Sequence, residues 1–164
     1  MGTCGVDEFN YGIHVCEAIC AMARHPVSVR FDGVGEKDGK KTESYTAVFA
    51  DGTTATYLTT TGVWLPCCFL VTTSKGVFNL NIDSGRIYTQ LLDRICDDLE
   101  TGKSELAPVS EIIESIEMML AGRLSRQRGG ESVCLCDIPE DDPGFDGGAF
   151  EREYAAAASP IYLG

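Results

Sequence analysis

The stretch Glu43-Ser44-Tyr45-Thr46-Ala47-Val48-Phe49-Ala50-Asp51-Gly52-Thr53-Thr54-Ala55-Thr56-Tyr57-Leu58-Thr59-Thr60 decides how the rest of the chain is read. Two runs of strand-forming residues flank Asp51-Gly52, and an Asp-Gly pair in that setting is the strongest short-range hairpin signal. Tyr45, Ala47 and Phe49 share one strand face at period two, with Thr46 and Val48 on the other. Thr53, Thr54, Thr56, Thr59, Thr60 and Thr61 suit a pleated surface, because β-branched side chains are stiff at χ1. One sheet face is therefore rich in hydroxyls. It fits a sugar-like ligand or, more plainly, an exposed or subunit-facing surface.

Before this hairpin, Val27-Ser28-Val29-Arg30-Phe31 alternates as a strand, and residues 33–41 read as a glycine- and lysine-rich loop with a turn at Asp38-Gly39. Gly33-Val34-Gly35 is superficially like a phosphate loop. However, no glycine follows at Asp38, and the loop joins two strands rather than a strand and a helix, so the fingerprint fails. After the hairpin, residues 62–66 break the pattern, with Trp64 expected to pack on the sheet. Residues 68–73 then turn at Ser74-Lys75-Gly76 into 77–82, a second hairpin with Phe78, Leu80 and Ile82 on one face.

Two helices follow. Ile87, Leu91, Ile95 and Leu99 recur every four residues in the first, which begins near Ser84 or Gly85 and stops at Gly102. The second has Ser110 as its expected cap and Glu111 and Glu114 in the favourable first turn. Ile112, Ile113, Ile116, Met119, Leu120 and Leu124 form its apolar stripe, and Arg123, Arg126 and Arg128 gather at its C-terminal end. Gly129-Gly130 ends it, and residues 131–138 read as a last strand. Residues 139–164 form an acidic, alanine-containing tail with a short helix from about Gly147, anchored by Phe150 and Tyr154. The expected fold is α+β, an open and mainly antiparallel β-sheet with helices packed on one face. It occupies residues 10–138, with 1–9 as a lead-in.

The first helix carries the chemistry. Asn10-Tyr11-Gly12-Ile13-His14-Val15-Cys16-Glu17 opens it, with Asn10 as the expected N-cap and Ile13, Cys16, Ile19, Cys20 and Ala23 on one face. It should run over 11–24 and end before Pro26. His14 and Glu17 are three apart and neighbour each other on the helix surface. A carboxylate there can orient or charge an imidazole, the usual preparation of a general acid/base. On residue chemistry alone, such a pair is more often a solvated surface contact than an active site.

Composition bounds the function. The 164 residues suit one domain, and a formal net charge of −12 argues against nucleic acid and against an anionic membrane surface. No apolar run approaches the roughly 20 residues that span a bilayer, and residues 1–10 lack a signal peptide's basic start and apolar core. A soluble, cytoplasmic protein is expected. The eight cysteines include no Cys-x-x-Cys pair, so reduced core thiols are expected rather than a metal or disulfide framework.

These features together resemble the C-terminal domain of the glucose–fructose oxidoreductase / inositol dehydrogenase / MocA (Gfo/Idh/MocA) family, a fold like that of the C-terminal domain of glyceraldehyde-3-phosphate dehydrogenase. The resemblance rests on Asn10-x-Gly12-x-His14-x-x-Glu17, the Pro26-Val27-x-Val29 strand and the Phe49-Ala50-Asp51-Gly52-x-x-Ala55 hairpin. Gly102 before Pro108-x-Ser110, then Ser125, and Gly129-Gly130-Glu131-x-Val133-x-Leu135 continue it, across residues 8–137. It implies the substrate-binding and oligomerisation part of an NAD- or NADP-dependent oxidoreductase acting on a sugar, polyol or related compound. The cofactor would be held mainly by an N-terminal Rossmann domain that these residues do not contain, so this segment alone should not transfer a hydride. His14 matches the family's catalytic histidine, and Asn10, Tyr11 and Glu17 would line the substrate. Where the family commonly has an aspartate, this chain has Asn10, which can hydrogen-bond a hydroxyl but cannot take its proton. The resemblance also implies a homo-oligomer formed through the sheet face. The alternative is a non-catalytic binding or interaction module on the same scaffold.

Overall fold

Asp38 and Gly39 both take positive φ, 52° and 70°. That is the twist a two-residue hairpin loop needs to match right-handed strands. Residues 33–41 are therefore not a loop. In the computed structural model, which describes residues 1–5 and 7–152, β2 (Pro26–Lys37) and β3 (Lys40–Phe49) pair right up to Lys37 and Lys40. Gly33, at φ 152°, absorbs the register shift after Phe31. The Asp51-Gly52 turn forms as expected: Asp51 accepts hydrogen bonds from the Thr53 backbone and hydroxyl, at 2.8 and 3.0 Å, and leads into β4 (Thr54–Thr61). Those two bonds hold the Asp51 carboxyl below its ordinary range.

The whole sheet has seven strands in the order β6-β5-β1-β4-β3-β2-β7, with β5 (Cys68–Thr73), β6 (Gly76–Asn81) and β7 (Val133–Cys134). Its inner strand β1 is Gly2–Cys4, parallel to β4 and antiparallel to β5, within the segment expected to be a lead-in. Three residues are too few to show a period, which is why the strand is invisible in the sequence. Gly2 is needed there, since a Cβ would stand 2.7 Å from the Phe69 ring. With one parallel pair the sheet is mixed, and the fold is α+β as expected. The last strand is shorter than expected: after Cys134 the chain turns into a 3-10 helix, Leu135–Asp137.

Helix α1 (Gly12–Ala23) and the C-terminal half of α3 (Val109–Gln127) cover one sheet face. Val15, Cys16, Ile19 and Cys20 meet Met118, Met119, Ala121 and Leu124 over Val29, Tyr45, Ala47, Phe49 and Tyr57. Beyond α1 the chain reverses through Arg24 and His25, both at positive φ, and Glu111 and Glu114 of α3 pair with their side chains. Helix α2 (Ile87–Thr101) ends as expected on left-handed Gly102, yet none of its residues is buried. Ile112, Ile113 and Ile116 in the first half of α3 are about half exposed, and Trp64 is exposed rather than packed on the sheet. Ser110 does not cap α3. Pro108 occupies the cap position, and its carbonyl accepts from the amides of Glu111 and Ile112. No helix among the described residues is long and apolar enough to cross a membrane.

Candidate functional site

The turn that delivers the N-terminus of α1 is held by charge. Glu8 accepts a hydrogen bond from Arg126 at 2.6 Å and one from the Tyr45 hydroxyl at 2.9 Å. Arg126 also donates to Glu43, at 2.8 Å, and to Tyr45, at 3.0 Å, and Lys41 closes on the other Glu43 oxygen at 2.9 Å. Burial works against the Arg126 charge, but Glu8, Tyr45 and Glu43 outweigh it and raise its pKa further. Burial likewise raises the Tyr45 hydroxyl, and the Glu8 charge adds to the effect. This network was readable in part. Glu43 alternates with Tyr45, Ala47 and Phe49, so the pleat places a carboxylate on the buried face, where it requires a cation. Its partner could not be read, because Arg126 had a ready local explanation at the negative end of α3.

Above this base stand the four residues singled out in the sequence. Asn10 is half-buried, and its backbone N–H donates to Asp7 at 2.5 Å. It is not the cap of α1: Tyr11 holds that position in helical conformation, and no side chain caps the helix. The helix begins at Gly12, so Asn10 lies one position before the cap. The Tyr11 carbonyl accepts from the His14 amide at 3.2 Å and from the Cys4 thiol at 3.1 Å, while its ring meets the edge of the His14 ring. His14 is exposed, and its Nδ1 lies 3.1 Å from Glu17 Oε2, as the i, i+3 spacing requires. Glu17 thereby sets the ring's orientation, and Nε2 takes no hydrogen bond from the described residues. Gly12 lets the helix sit close on β4, where a Cβ would stand 3.1 Å from Thr59.

Chemically, the group offers one oriented imidazole, a phenol and an amide on a convex helix start. An open hollow of about 600 Å³ lies elsewhere, against the β2–β3 turn and Val63 and Leu65. A substrate bound at His14 would need its other wall from outside these residues. Burial pushes the Cys4 and Cys20 thiols up to about 12 and that of half-buried Cys67 to about 11. Cys136 is also raised, to about 11, chiefly by its hydrogen bond with Cys134.

No protein-family model matches the chain, and no curated protein matches it. Among solved structures, a protein of Desulfitobacterium hafniense DCB-2 described as a "putative NADPH-dependent oxidoreductase" matches with a TM-score of 0.55 and 12% identity. The match covers 84% of this chain and 56% of that one. The shared fold is thus that of part of an oxidoreductase-like protein, and this chain spans little more than half of its neighbour's length.

Proposed function

We propose that this chain is the substrate-facing and assembly part of an NAD(P)-dependent oxidoreductase acting on a sugar-like hydroxyl or carbonyl compound. The observation that carries it is the structural likeness, which accounts for most of this chain by only part of an oxidoreductase-like protein. The remainder of such a protein is room for a nucleotide-binding domain. His14 acts as the acid/base: Glu17 holds Nδ1, and Nε2 exchanges a proton with the substrate oxygen. Asn10 and Tyr11 hydrogen-bond the neighbouring hydroxyls. The nicotinamide, bound by a domain outside these residues, supplies the hydride chemistry. The hydroxyl-rich sheet face, with Thr42 and Thr60 sharing a hydrogen bond at 3.1 Å, packs against a second copy.

A second reading, a non-catalytic binding module, is favoured by one residue. Asn10 cannot supply the negative charge that an aspartate would offer an imidazolium. The two readings separate on turnover. Nicotinamide absorbance is followed with a panel of sugars, polyols and their keto forms, using the protein that joins this chain to a nucleotide-binding region. Turnover that falls in His14→Ala supports the enzyme. Saturable sugar binding with no turnover under any cofactor supports the module.

A further inference from the structure

Where β7 ends, three metal-ligating side chains converge that the His14 site does not use. One ligand atom from each of Cys134, Cys136 and Asp137 lies within 4.8 Å of the other two. The Cys136 thiol stands 3.8 Å from Asp137 Oδ1. Tetrahedral zinc, with Zn–S of about 2.3 Å and Zn–O of about 2.0–2.2 Å, spaces a bound sulfur and carboxylate oxygen about 3.6 Å apart. The three donors thus stand close to the spacing that one bound cation requires.

The backbone beneath the cluster is already fixed. Val133 is fully buried and pairs with Val29 of β2. On the other side, the Ile138 amide donates to the Leu135 carbonyl at 3.2 Å, and Leu135 and Ile138 both pack against the core. Cys136 and Asp137 are exposed and Cys134 is half-buried, so the donors face solvent from a rigid turn. Core packing explains Cys16 and Cys20, which are buried, but not these two thiols. No lysine or arginine pairs with Asp137 among the described residues, which leaves its carboxylate available. Two thiolates with one carboxylate select zinc-class cations over magnesium or calcium, which prefer all-oxygen shells.

We propose that Cys134, Cys136 and Asp137 bind one thiophilic divalent cation of the zinc class, with water as the fourth ligand. The two thiols release their protons to solvent as the metal binds, so uptake strengthens with rising pH. The site is independent of the oxidoreductase reading and stands or falls without it.

The test titrates the full, reduced chain anaerobically with Co²⁺ and then displaces it with Zn²⁺. Thiolate-to-cobalt charge-transfer absorption reports sulfur ligation directly. One equivalent should bind, with the band lost on adding Zn²⁺. Cys134→Ser/Cys136→Ser should abolish the band while circular dichroism stays unchanged, and Cys67→Ala/Cys68→Ala should leave it intact. Asp137→Asn should keep the band and weaken affinity by at least roughly tenfold, a loss that outer-shell substitutions already produce. No thiolate band with the unmodified chain overturns the proposal. So does a band that survives the double serine variant, or a Cys134–Cys136 disulfide that forms in place of metal uptake.

Discussion

Arg126 faces Glu8 and Glu43 together, at 2.6 and 2.8 Å. Replacing it leaves two carboxylates with little access to water. Breaking such a pair by removing one partner costs about 3–5 kcal/mol when fully buried. Arg126 is itself 29% exposed, so a loss of about 2–3 kcal/mol is expected for Arg126→Met in urea unfolding. Adding Glu8→Gln and Glu43→Gln should recover part of it. The thiols set a second expectation at this scale. Cys4 and Cys20 rise from 9.0 to about 12 through burial. The folded chain then keeps protons that the unfolded chain releases, so this stabilisation is complete below pH 9 and is lost as pH climbs toward about 12. Melting temperature should fall across that window, and less steeply in Cys4→Ala/Cys20→Ala. Residue chemistry was legible where spacing alone determines contact, as for His14 with Glu17. It was not legible where a partner comes from a distant element, as Arg126 does for Glu43.

Helices and strands meet closely at Gly122, where a Cβ would stand 2.6 Å from the Tyr57 hydroxyl and 3.2 Å from the Tyr45 ring. Those two rings stack at 4.8 Å between centroids, and both are buried, so neither can yield. Alanine normally gains about 1 kcal/mol over glycine inside a helix. Overpacking costs about 1–3 kcal/mol. Gly122→Ala is thus expected to be net destabilising by up to about 2 kcal/mol, read from the urea midpoint. Ser125 makes the other junction: its hydroxyl donates to the Glu131 carbonyl at 2.5 Å and accepts from the Phe31 amide at 2.8 Å. Ser125→Ala should cost about 1–2 kcal/mol, since two part-buried backbone hydrogen bonds lose their partner. The hairpin at Asp38-Gly39 read as a loop, but at this scale those at Asp51-Gly52 and Lys75-Gly76 were readable, because such turns between alternating runs are local signals. The 3-10 turn after Cys134 was not, and this matters for chemistry. A strand would put Asp137 on the face opposite Cys134 and Cys136, whereas the tighter turn brings it round beside them. The tail helix was readable too. It is helical from residue 147 to 152, and the Phe150 ring meets the Phe9 ring at 5.0 Å, tilted by 48°, while the expected Tyr154 contact lies outside the described residues.

Across the whole molecule, apolar surface is distributed unevenly. Phe78 and Leu80 on β6, Leu91, Leu92 and Leu99 on α2, and Ile112 and Ile113 on α3 are all at least 40% exposed. Sequence periodicity showed that α2 is amphipathic but not what meets its apolar face, because that depends on surfaces beyond the helix itself. The proposed assembly predicts that the purified chain runs as a dimer or larger in size-exclusion with light scattering, and a monomer at high concentration would count against it. The central claim concerns His14, an exposed and oriented imidazole whose removal should leave the fold intact. The most direct measurement is kcat/KM for nicotinamide-coupled turnover of sugar-like compounds by this chain joined to the nucleotide-binding region that the proposed function requires. The account predicts a fall of about 10²–10⁴-fold in His14→Ala, the usual worth of a positioned acid/base, with an unchanged melting temperature. Full kcat/KM in that variant would contradict it.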